Sequence, residues 1–85
     1  MKIVQFRQAT ANALRHRRAL AGLTQLQLAE RIGGSEVGVR TWERAVSSPS
    51  LETFLLRADA LGVDAKELLG EIQSSIALLQ GRDGK

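Results

Sequence analysis

Two short helical patterns meet at a glycine within residues 24–44, and this arrangement constrains the fold more than any other stretch of the chain. The first pattern starts at Thr24, a residue type favoured at the N-cap, and Gly33 ends it because glycine readily adopts the positive φ of a helix C-terminus. Ser35 can cap the second pattern. Apolar residues recur at helical spacing in both patterns: Leu28, Ala29, Ile32, Val39 and Trp42. Two helices so short and so closely joined must cross steeply, with these apolar residues buried between them.

The outward side of the second pattern, over residues 36–44, is mostly polar and carries Glu36, Val37, Arg40, Thr41 and Arg44. A helix with one free face is narrow enough to enter the major groove of DNA. Arg40 is the best candidate for specificity because it can donate two hydrogen bonds to guanine, and the alternatives are an exposed helix-surface arginine or a pair with Glu36 one turn earlier. Thr41 and Val37 can contact a base edge or a thymine methyl group, and Glu36 can accept a hydrogen bond from cytosine or stabilise the helix N-terminus. The pattern therefore indicates a helix that can read DNA sequence.

Positive charge is concentrated in the half of the chain that contains this unit. Residues 1–44 carry eight basic and three acidic residues, residues 45–85 carry four basic and six acidic ones, and the net charge is +3. Such an asymmetry suits one phosphate-facing side, and an ordinary solvated surface accounts for it about equally well. Gln25 at a helix N-terminus, and Arg15 and Arg17 on charge alone, are the candidates for phosphate contacts.

Five helices are predicted along the chain. Helix-forming residues without proline or glycine indicate the first, and N-cap and glycine signals bound the others. Their ranges are about 6–21, 25–32, 36–44 and 51–61, with a fifth that starts after Asp64 and ends at Gly70 or continues to about 79. Since no β pattern or repeat is present, the predicted fold class is all-α, a single domain over residues 1–85.

The single domain has a core, an extension and a tail. The core spans about residues 6–70, and the first five residues are too few to assign. An extension of the fifth helix over about 70–80 is expected to serve dimerisation. Residues 81–85, which combine glycine with charge, are expected to form a disordered tail.

Composition argues against several classes of function. The chain has no cysteine and a single histidine, His16, so the sequence offers no metal site and no disulfide. No nucleophile–base pair or carboxylate pair indicates an active site, and we expect neither an enzyme nor a cofactor. The apolar run at the N-terminus is too short for a signal peptide, and no stretch approaches the ~20 apolar residues of a membrane span. The protein is expected to be cytoplasmic, without a membrane partner.

Six short motifs follow one another in register along the chain: Leu23-Thr-Gln25, Leu28-Ala-Glu-Arg-Ile-Gly33, Trp42-Glu-Arg44, Pro49-Ser-Leu-Glu-Thr53, Ala60-Leu-Gly-Val63 and Glu67-Leu-Leu69. With Leu14-Arg15 and Arg18 upstream, they cover more than half of the chain. This ordered series resembles the phage-repressor, or Xre/Cro-type, helix-turn-helix family. The resemblance implies a five-helix domain that binds operator DNA as a dimer, with the helix over 36–44 in the major groove.

The resemblance also implies roles for individual residues. Gln25 would contact a phosphate, and Arg18 and Glu43 would form the structural ion pair of the family. The residues that would read base edges or lie beside them near the DNA backbone are Glu36, Val37, Arg40, Thr41 and Arg44. The chain departs from the family pattern at Arg17, Gly34, Gly38, Ala45, Leu56 and Arg57.

The apolar stripe late in the fifth helix has two interpretations. The resemblance accounts for apolar residues only to about Leu69, and Ile72, Ile76 and Leu79 continue on one side of the helix. These residues can fold back on the core or pair with a second copy, and we favour the homodimer. A two-fold dimer would place two reading helices about 34 Å apart, one turn of DNA.

Together these observations favour a sequence-specific regulator of transcription, with repression as the expected effect. It would bind a pseudo-palindromic operator in double-stranded DNA. An antitoxin is one alternative, in which the same DNA-binding core also carries a surface for a toxin protein. A protein-interaction adaptor that has lost DNA readout is another, and the residues that favour it are Gly34, Glu36, Val37 and Gly38.

Overall fold

Five α-helices and no strand make up residues 2–83, the part of the chain that the computed structural model describes. The helices are α1 (Ile3–Leu20), α2 (Gln25–Ile32), α3 (Glu36–Glu43), α4 (Leu51–Ala60) and α5 (Ala65–Asp83). The all-α prediction is confirmed, and α2, α3 and α4 lie within one residue of their predicted ranges. None of the described helices combines the length and the hydropathy that crossing a membrane requires.

The helix N-termini follow the cap signals of the sequence. The Thr24 hydroxyl accepts a hydrogen bond from the Gln27 backbone N–H at 3.0 Å, and the Gln27 side chain accepts one from the Thr24 backbone at 2.9 Å. Ser50 caps α4 in the simpler way, by accepting from the Thr53 backbone N–H at 3.2 Å. These bonds satisfy backbone donors that a helix start leaves free, so α2 and α4 begin where the sequence predicts.

Two apolar clusters hold the helices together. The larger lies between α1, α4 and α5 and contains Ala9, Ala13, Leu14, Phe54, Ala58, Leu68 and Ile72. The smaller lies between α2 and α3 and contains Leu28, Ala29 and Val39, with Trp42 partly buried against it. Leu61, at the end of α4, packs against both clusters. The end of α4 is therefore one of the places where the α2–α3 pair joins the rest of the domain.

The apolar stripe of α5 packs against the core of its own chain. Ile72 is buried, and Ile76 and Leu79 are partly buried against the same cluster. This packing agrees with the first of the two interpretations, in which the stripe folds back on the core of its own chain, rather than with the homodimer that we favour from the sequence. The small side chains of Ala9 and Ala13 on α1 allow α5 to approach closely, and the contact between α1 and α5 is the most extensive in the domain. Ile72 thus belongs to the core, Ile76 and Leu79 pack at its edge, and pairing of two copies through this stripe stays a prediction.

The end of α5 also differs from the prediction. The helix reaches Asp83, so residues 81–83 are helical where the sequence predicts the start of a disordered tail. Gly84 and Lys85, the remainder of that tail, lie outside the described residues. Packing against α1 outweighs the low helix propensity of the two glycines in α5, which is why the sequence signals alone underestimate its length.

The first four helices end in the same backbone motif. In each, one residue is left-handed, and the N–H of the next residue donates to the carbonyl five positions earlier. Glycine is the left-handed residue in three of them, at Gly22, Gly33 and Gly62. After α3 the same position is Ala45, with φ of 62°. A Cβ atom in this region costs about 1–2 kcal/mol, so the turn after α3 is strained.

Replacing Ala45 with glycine should therefore stabilise the protein. We expect the free energy of unfolding to rise by about 1 kcal/mol, because relief of the left-handed strain exceeds the entropy that glycine adds to the unfolded chain. Urea unfolding followed by Trp42 fluorescence measures this change.

Gly33→Ala is the matched control, since a Cβ there would meet nothing within 4 Å and its cost is confined to the backbone. It should lower the free energy of unfolding by about 1 kcal/mol. Equal stabilities of wild type and Ala45→Gly would show that the turn after α3 is not strained.

Candidate nucleic-acid interface

α3 is bound to α2 by one face and leaves the opposite face free. Val39 is 0% exposed and packs against Leu28 and Ala29, which fixes the inner face. On the outer face Val37 is 63% exposed. The residues predicted to face DNA in this region are all at least partly exposed: Glu36, Val37, Arg40, Thr41 and Arg44.

Arg40 forms an ion pair within α3. Its guanidinium donates to Glu36 Oε1 at 3.2 Å, one helical turn earlier, and both side chains are substantially exposed. An exposed pair of this kind contributes only about 0.3–0.5 kcal/mol. The pair therefore orients Arg40 along the outer face. Because the pair is weak, the guanidinium can leave Glu36 for another acceptor at little cost in free energy.

The hydroxyl group of Thr41 is engaged in a different way. It donates to the Val37 backbone carbonyl at 2.8 Å, which uses its only proton inside the helix. The oxygen atom is left as an acceptor. Thr41 can therefore receive a hydrogen bond from an amino group of adenine or cytosine without losing its internal bond.

Gly38, one of the departures from the family pattern, has a local structural reason. Ser35 caps α3 by accepting a hydrogen bond from the Gly38 backbone N–H at 3.1 Å. A Cβ atom on residue 38 would lie 3.3 Å from that hydroxyl oxygen, which is tighter than ordinary contact. The absence of a side chain thus protects the start of α3, although glycine costs about 1 kcal/mol of helix propensity relative to alanine.

Glu43, at the end of α3, joins three helices. Its side chain is almost fully buried, and its two oxygens accept hydrogen bonds from Arg18 of α1 at 2.6 and 2.8 Å. The Gln25 amide at the start of α2 donates to Oε1 at 3.2 Å. Arg18 also donates to the Leu23 carbonyl at 2.8 Å, so it ties the turn between α1 and α2 to the end of α3.

The carboxyl group of Glu43 remains ionised in this buried position. Burial by itself raises the pKa of Glu43, but hydrogen bonds from Arg18 and Gln25, with the charges of Arg18 and Arg15, outweigh burial and hold the pKa below its ordinary value. The hydrogen bond to Glu43 likewise raises the pKa of Arg18. Both groups are therefore charged over the whole physiological pH range.

The three predicted phosphate candidates fall in two places. Arg15 donates to the Glu43 backbone carbonyl at 3.4 Å, and Gln25 bonds the Glu43 carboxylate, so both lie beside the end of α3. Arg17 instead bonds Glu71 of α5 at 2.8 Å. Arg15 and Arg17 are two positions apart, about 200° around the helix axis, so Arg17 faces α5 and we do not assign it to DNA.

Arg57 of α4 is a second charged residue inside the domain. It is 0% exposed, its guanidinium lies over the ring of Trp42, and none of its side-chain nitrogens has a hydrogen-bond partner. Burial lowers the pKa of Arg57 to about 9, against an opposing effect of Glu43, so the group is still protonated at neutral pH. The sequence contains a signal for this burial, since residue 57 lies three positions after Phe54 and four before Leu61 on the apolar side of α4.

The side chains of this surface are suited to recognition of a partner through hydrogen bonds and charge. It presents hydrogen-bond donors, acceptors and positive charge along α3 and beside its end. Within residues 2–83 no group of three or more histidine and acidic side chains could hold a metal ion.

Comparison with protein families agrees with this geometry. A family model described as helix-turn-helix, HTH_3, matches residues 14–68, from the middle of α1 to the first turn of α5. The chain belongs to this helix-turn-helix family.

Solved structures of other proteins are similar to this chain as well. A crystal structure of the clp gene regulator ClgR from Corynebacterium glutamicum is 32% identical, with a TM-score of 0.86 over 93% of this chain and 84% of its own. A second structure of that regulator is 33% identical, with a TM-score of 0.77 over 82% and 91%. The hypothetical transcription factor NHTF from Neisseria is 30% identical, with a TM-score of 0.72 over 81% and 79%. A search of curated proteins finds no match.

Membership of the helix-turn-helix family, with regulators as structural neighbours, makes the chain a DNA-binding regulator of transcription. α2 and α3 are the two helices of the motif. In such motifs the second helix lies in the major groove and the first crosses the backbone. The free face of α3 and the side chains around Glu43 are therefore the candidate DNA-binding surface of this family member.

Replacing Glu43 with glutamine should destabilise this helix-turn-helix domain by about 3 kcal/mol at neutral pH, because Arg18 would lose its counter-charge in a largely buried site. The wild type has the stabilisation from ionised Glu43 above the ordinary glutamate pKa, and loses it as the pH falls through the lower pKa of the folded state. The difference between the two proteins should therefore shrink as the pH falls from about 5 to about 2.

Urea unfolding at several pH values measures both effects. Glu30→Gln is the matched control, because Glu30 is an exposed carboxylate on α2 and its replacement should change stability by less than about 0.5 kcal/mol. A difference between wild type and Glu43→Gln that stays constant down to about pH 2 would exclude the ionised pair as the cause.

Proposed function

We propose that this regulator is a repressor that binds a two-fold symmetric operator as a dimer, with α3 of each copy in the major groove. The observation that supports the proposal most directly is the free face of α3, whose end is fixed to α1 and α2 through Glu43. A reading helix must be held rigidly if single base pairs are to be discriminated. Repression needs only occupancy of a site that overlaps a promoter, and we propose neither a cofactor nor catalysis.

Arg40 is the residue that we assign to base readout. Its guanidinium can form two hydrogen bonds with guanine O6 and N7, and the weak pair with Glu36 keeps the side chain on the outer face until DNA is bound. Thr41 offers an acceptor and a methyl group next to it, and the exposed Val37 can pack on a thymine methyl. Glu36 acts mainly on Arg40 and on the start of α3.

Phosphate contacts come from the residues around the end of α3 and the start of α2. Gln25 uses one N–H for Glu43, and its second N–H remains for a phosphate beside the free backbone N–H groups of the α2 N-terminus. Arg15 and Arg44 are both exposed and add positive charge on this side. These contacts would supply affinity that decreases with salt and is independent of sequence.

An apolar groove is our candidate for the contact between two copies. The groove has a volume of about 240 Å³, contains no charged side chain, and is lined by Phe6, Thr10, Pro49, Leu51, Phe54, Leu69 and Ile72. A two-fold interface places the same patch on both partners, so a patch without charge avoids repulsion between like charges. Leu51 and Leu69 are exposed at its edges and would be covered in the dimer.

The first test is selection of bound duplexes from a random DNA pool at physiological salt. We expect recovery of a two-fold symmetric motif with half-site centres about 10 base pairs apart, because one α3 of each copy reads one half-site. Recovery of no motif, with only weak binding that disappears at higher salt, would contradict sequence-specific regulation. That outcome would favour the adaptor, and the antitoxin alternative would require both the motif and a toxin partner.

Replacing Arg40 with alanine should weaken binding to the selected duplex by about tenfold to about a hundredfold and relax the preference at one base pair per half-site. Arg31→Ala is a matched control of equal charge, because Arg31 bonds the Ala60 carbonyl of α4 at 3.2 Å and lies at the other end of α2 from Gln25. Binding titrations with wild-type and single-substituted duplexes measure both. Equal losses for the two variants would assign Arg40 to general electrostatics.

Replacing Leu69 with glutamate should shift the protein from dimer to monomer and weaken operator binding at low protein concentration. Leu78→Glu is the control, because Leu78 is also an exposed leucine of α5 and lies outside the groove. Sedimentation equilibrium measures the state of each variant. A monomeric wild type, or a dimer that survives Leu69→Glu, would refute this interface.

A further inference from the structure

Arg15, an exposed residue of α1, is held in place by neutral oxygen atoms. Its guanidinium donates to Asn12 Oδ1 at 2.9 Å and to the Glu43 backbone carbonyl at 3.4 Å. Arg17 and Arg40, by contrast, each bond a carboxylate, which offsets part of their positive charge. The hydrogen bonds of Arg15 therefore orient the side chain without neutralising it.

The position of the Asn12 side chain is itself fixed by a neighbour. Gln8, one helical turn earlier, donates to the same Asn12 oxygen at 3.0 Å. An amide oxygen can accept two hydrogen bonds, and here it accepts one from each side along α1. Gln8, Asn12 and Arg15 thus form a chain of hydrogen bonds on one face of the helix.

This chain of hydrogen bonds ends at the C-terminus of α3. The last carbonyl groups of a helix have no partner within it and carry the negative end of its dipole, so the Glu43 carbonyl is a favourable acceptor for Arg15. The Glu43 carboxylate, whose charge also acts on Arg15, bonds Arg18 through both oxygens. Of the five N–H donors of a guanidinium, the two described bonds use two, and three remain for a phosphate.

We propose that Asn12 is a positioning residue for DNA binding, which holds the Arg15 guanidinium beside the end of α3 in the orientation that a phosphate requires. The inference rests on the proposed function, in which Arg15 contacts a phosphate. A free arginine side chain populates many rotamers and loses that freedom on binding. Asn12 restricts these rotamers before DNA arrives, so less entropy is lost in the complex. Because phosphate contacts carry no sequence information, the gain in affinity is the same for every duplex.

The test is a double-mutant cycle of Asn12→Ala and Arg15→Ala, measured by binding titrations with the selected duplex and a scrambled duplex. Asn12→Ala should weaken binding to both duplexes about threefold when Arg15 is present. In the Arg15→Ala background it should change neither affinity, because no guanidinium remains to be held. Arg15→Ala itself should lower the slope of log affinity against log salt by about 1.

Asn12→Ala should leave the fold intact. Alanine has a higher helix propensity than asparagine, and Asn12 lies outside both apolar clusters, so urea unfolding should show equal or greater stability of the variant. Gln73→Ala is the matched control, because it removes an exposed amide from α5, which carries none of the proposed DNA contacts. This control should leave both affinities unchanged.

The outcomes separate the inference from the proposed function. Asn12→Ala without effect, beside an Arg15→Ala variant that binds more weakly, would overturn the positioning role alone. Equal losses in both backgrounds would also overturn it, because Asn12 would then act on binding without Arg15. An Arg15→Ala variant that binds like wild type would remove Arg15 from the phosphate contacts, and the inference with it. A wild type that binds neither duplex would refute the proposed function itself.

Discussion

The buried carboxylate of Glu43 is the interaction on which the DNA-facing side of the domain depends. Arg18 reaches it from α1, Gln25 reaches it from α2, and Glu43 itself ends α3. Apolar burial supplies most of the stability of such a domain, but it has no direction and tolerates small rotations of one helix on another. A desolvated ion pair does not tolerate them, because each lost hydrogen bond leaves a charge without compensation. The apolar clusters hold the three helices together, and Glu43 determines how they are arranged.

The guanidinium groups of Arg18 and Arg57 are both attracted to the carboxylate of Glu43. Arg18 receives its hydrogen bonds, and Arg57 receives only the remaining attraction and the ring of Trp42. The interior behind α3 therefore carries an excess of positive charge in surroundings that screen it weakly. That excess of buried charge lowers the stability of the domain.

The sequence predicts the helices well where local chemistry decides them. The cap at Thr24 and the left-handed Gly33 define α2 almost completely, because both act through backbone bonds within a few residues. It predicts less where packing decides. Whether Ile76 and Leu79 find a partner depends on how closely α5 approaches α1, and whether Arg17 faces DNA depends on Glu71, 54 positions along the chain. Periodicity gives the face of a helix, but it does not give the helix that covers that face.

Within the candidate site, the sequence likewise identifies the residue types but not the role of each side chain. Arg40, Thr41 and Glu36 can be identified from their spacing, and the pair between Arg40 and Glu36 is one of the alternatives that this spacing leaves open, but the internal bond of Thr41 is not predicted. In the structure Glu36 holds Arg40, and the Thr41 hydroxyl has already used its proton. Arg40 can turn from Glu36 toward a base only where that base offers acceptors in the right geometry, and Thr41 accepts only from a base that offers a donor. A base pair that meets neither condition leaves both side chains in their internal bonds, and these side chains then add no binding free energy. Discrimination by this helix therefore depends on bonds within α3 as much as on its shape.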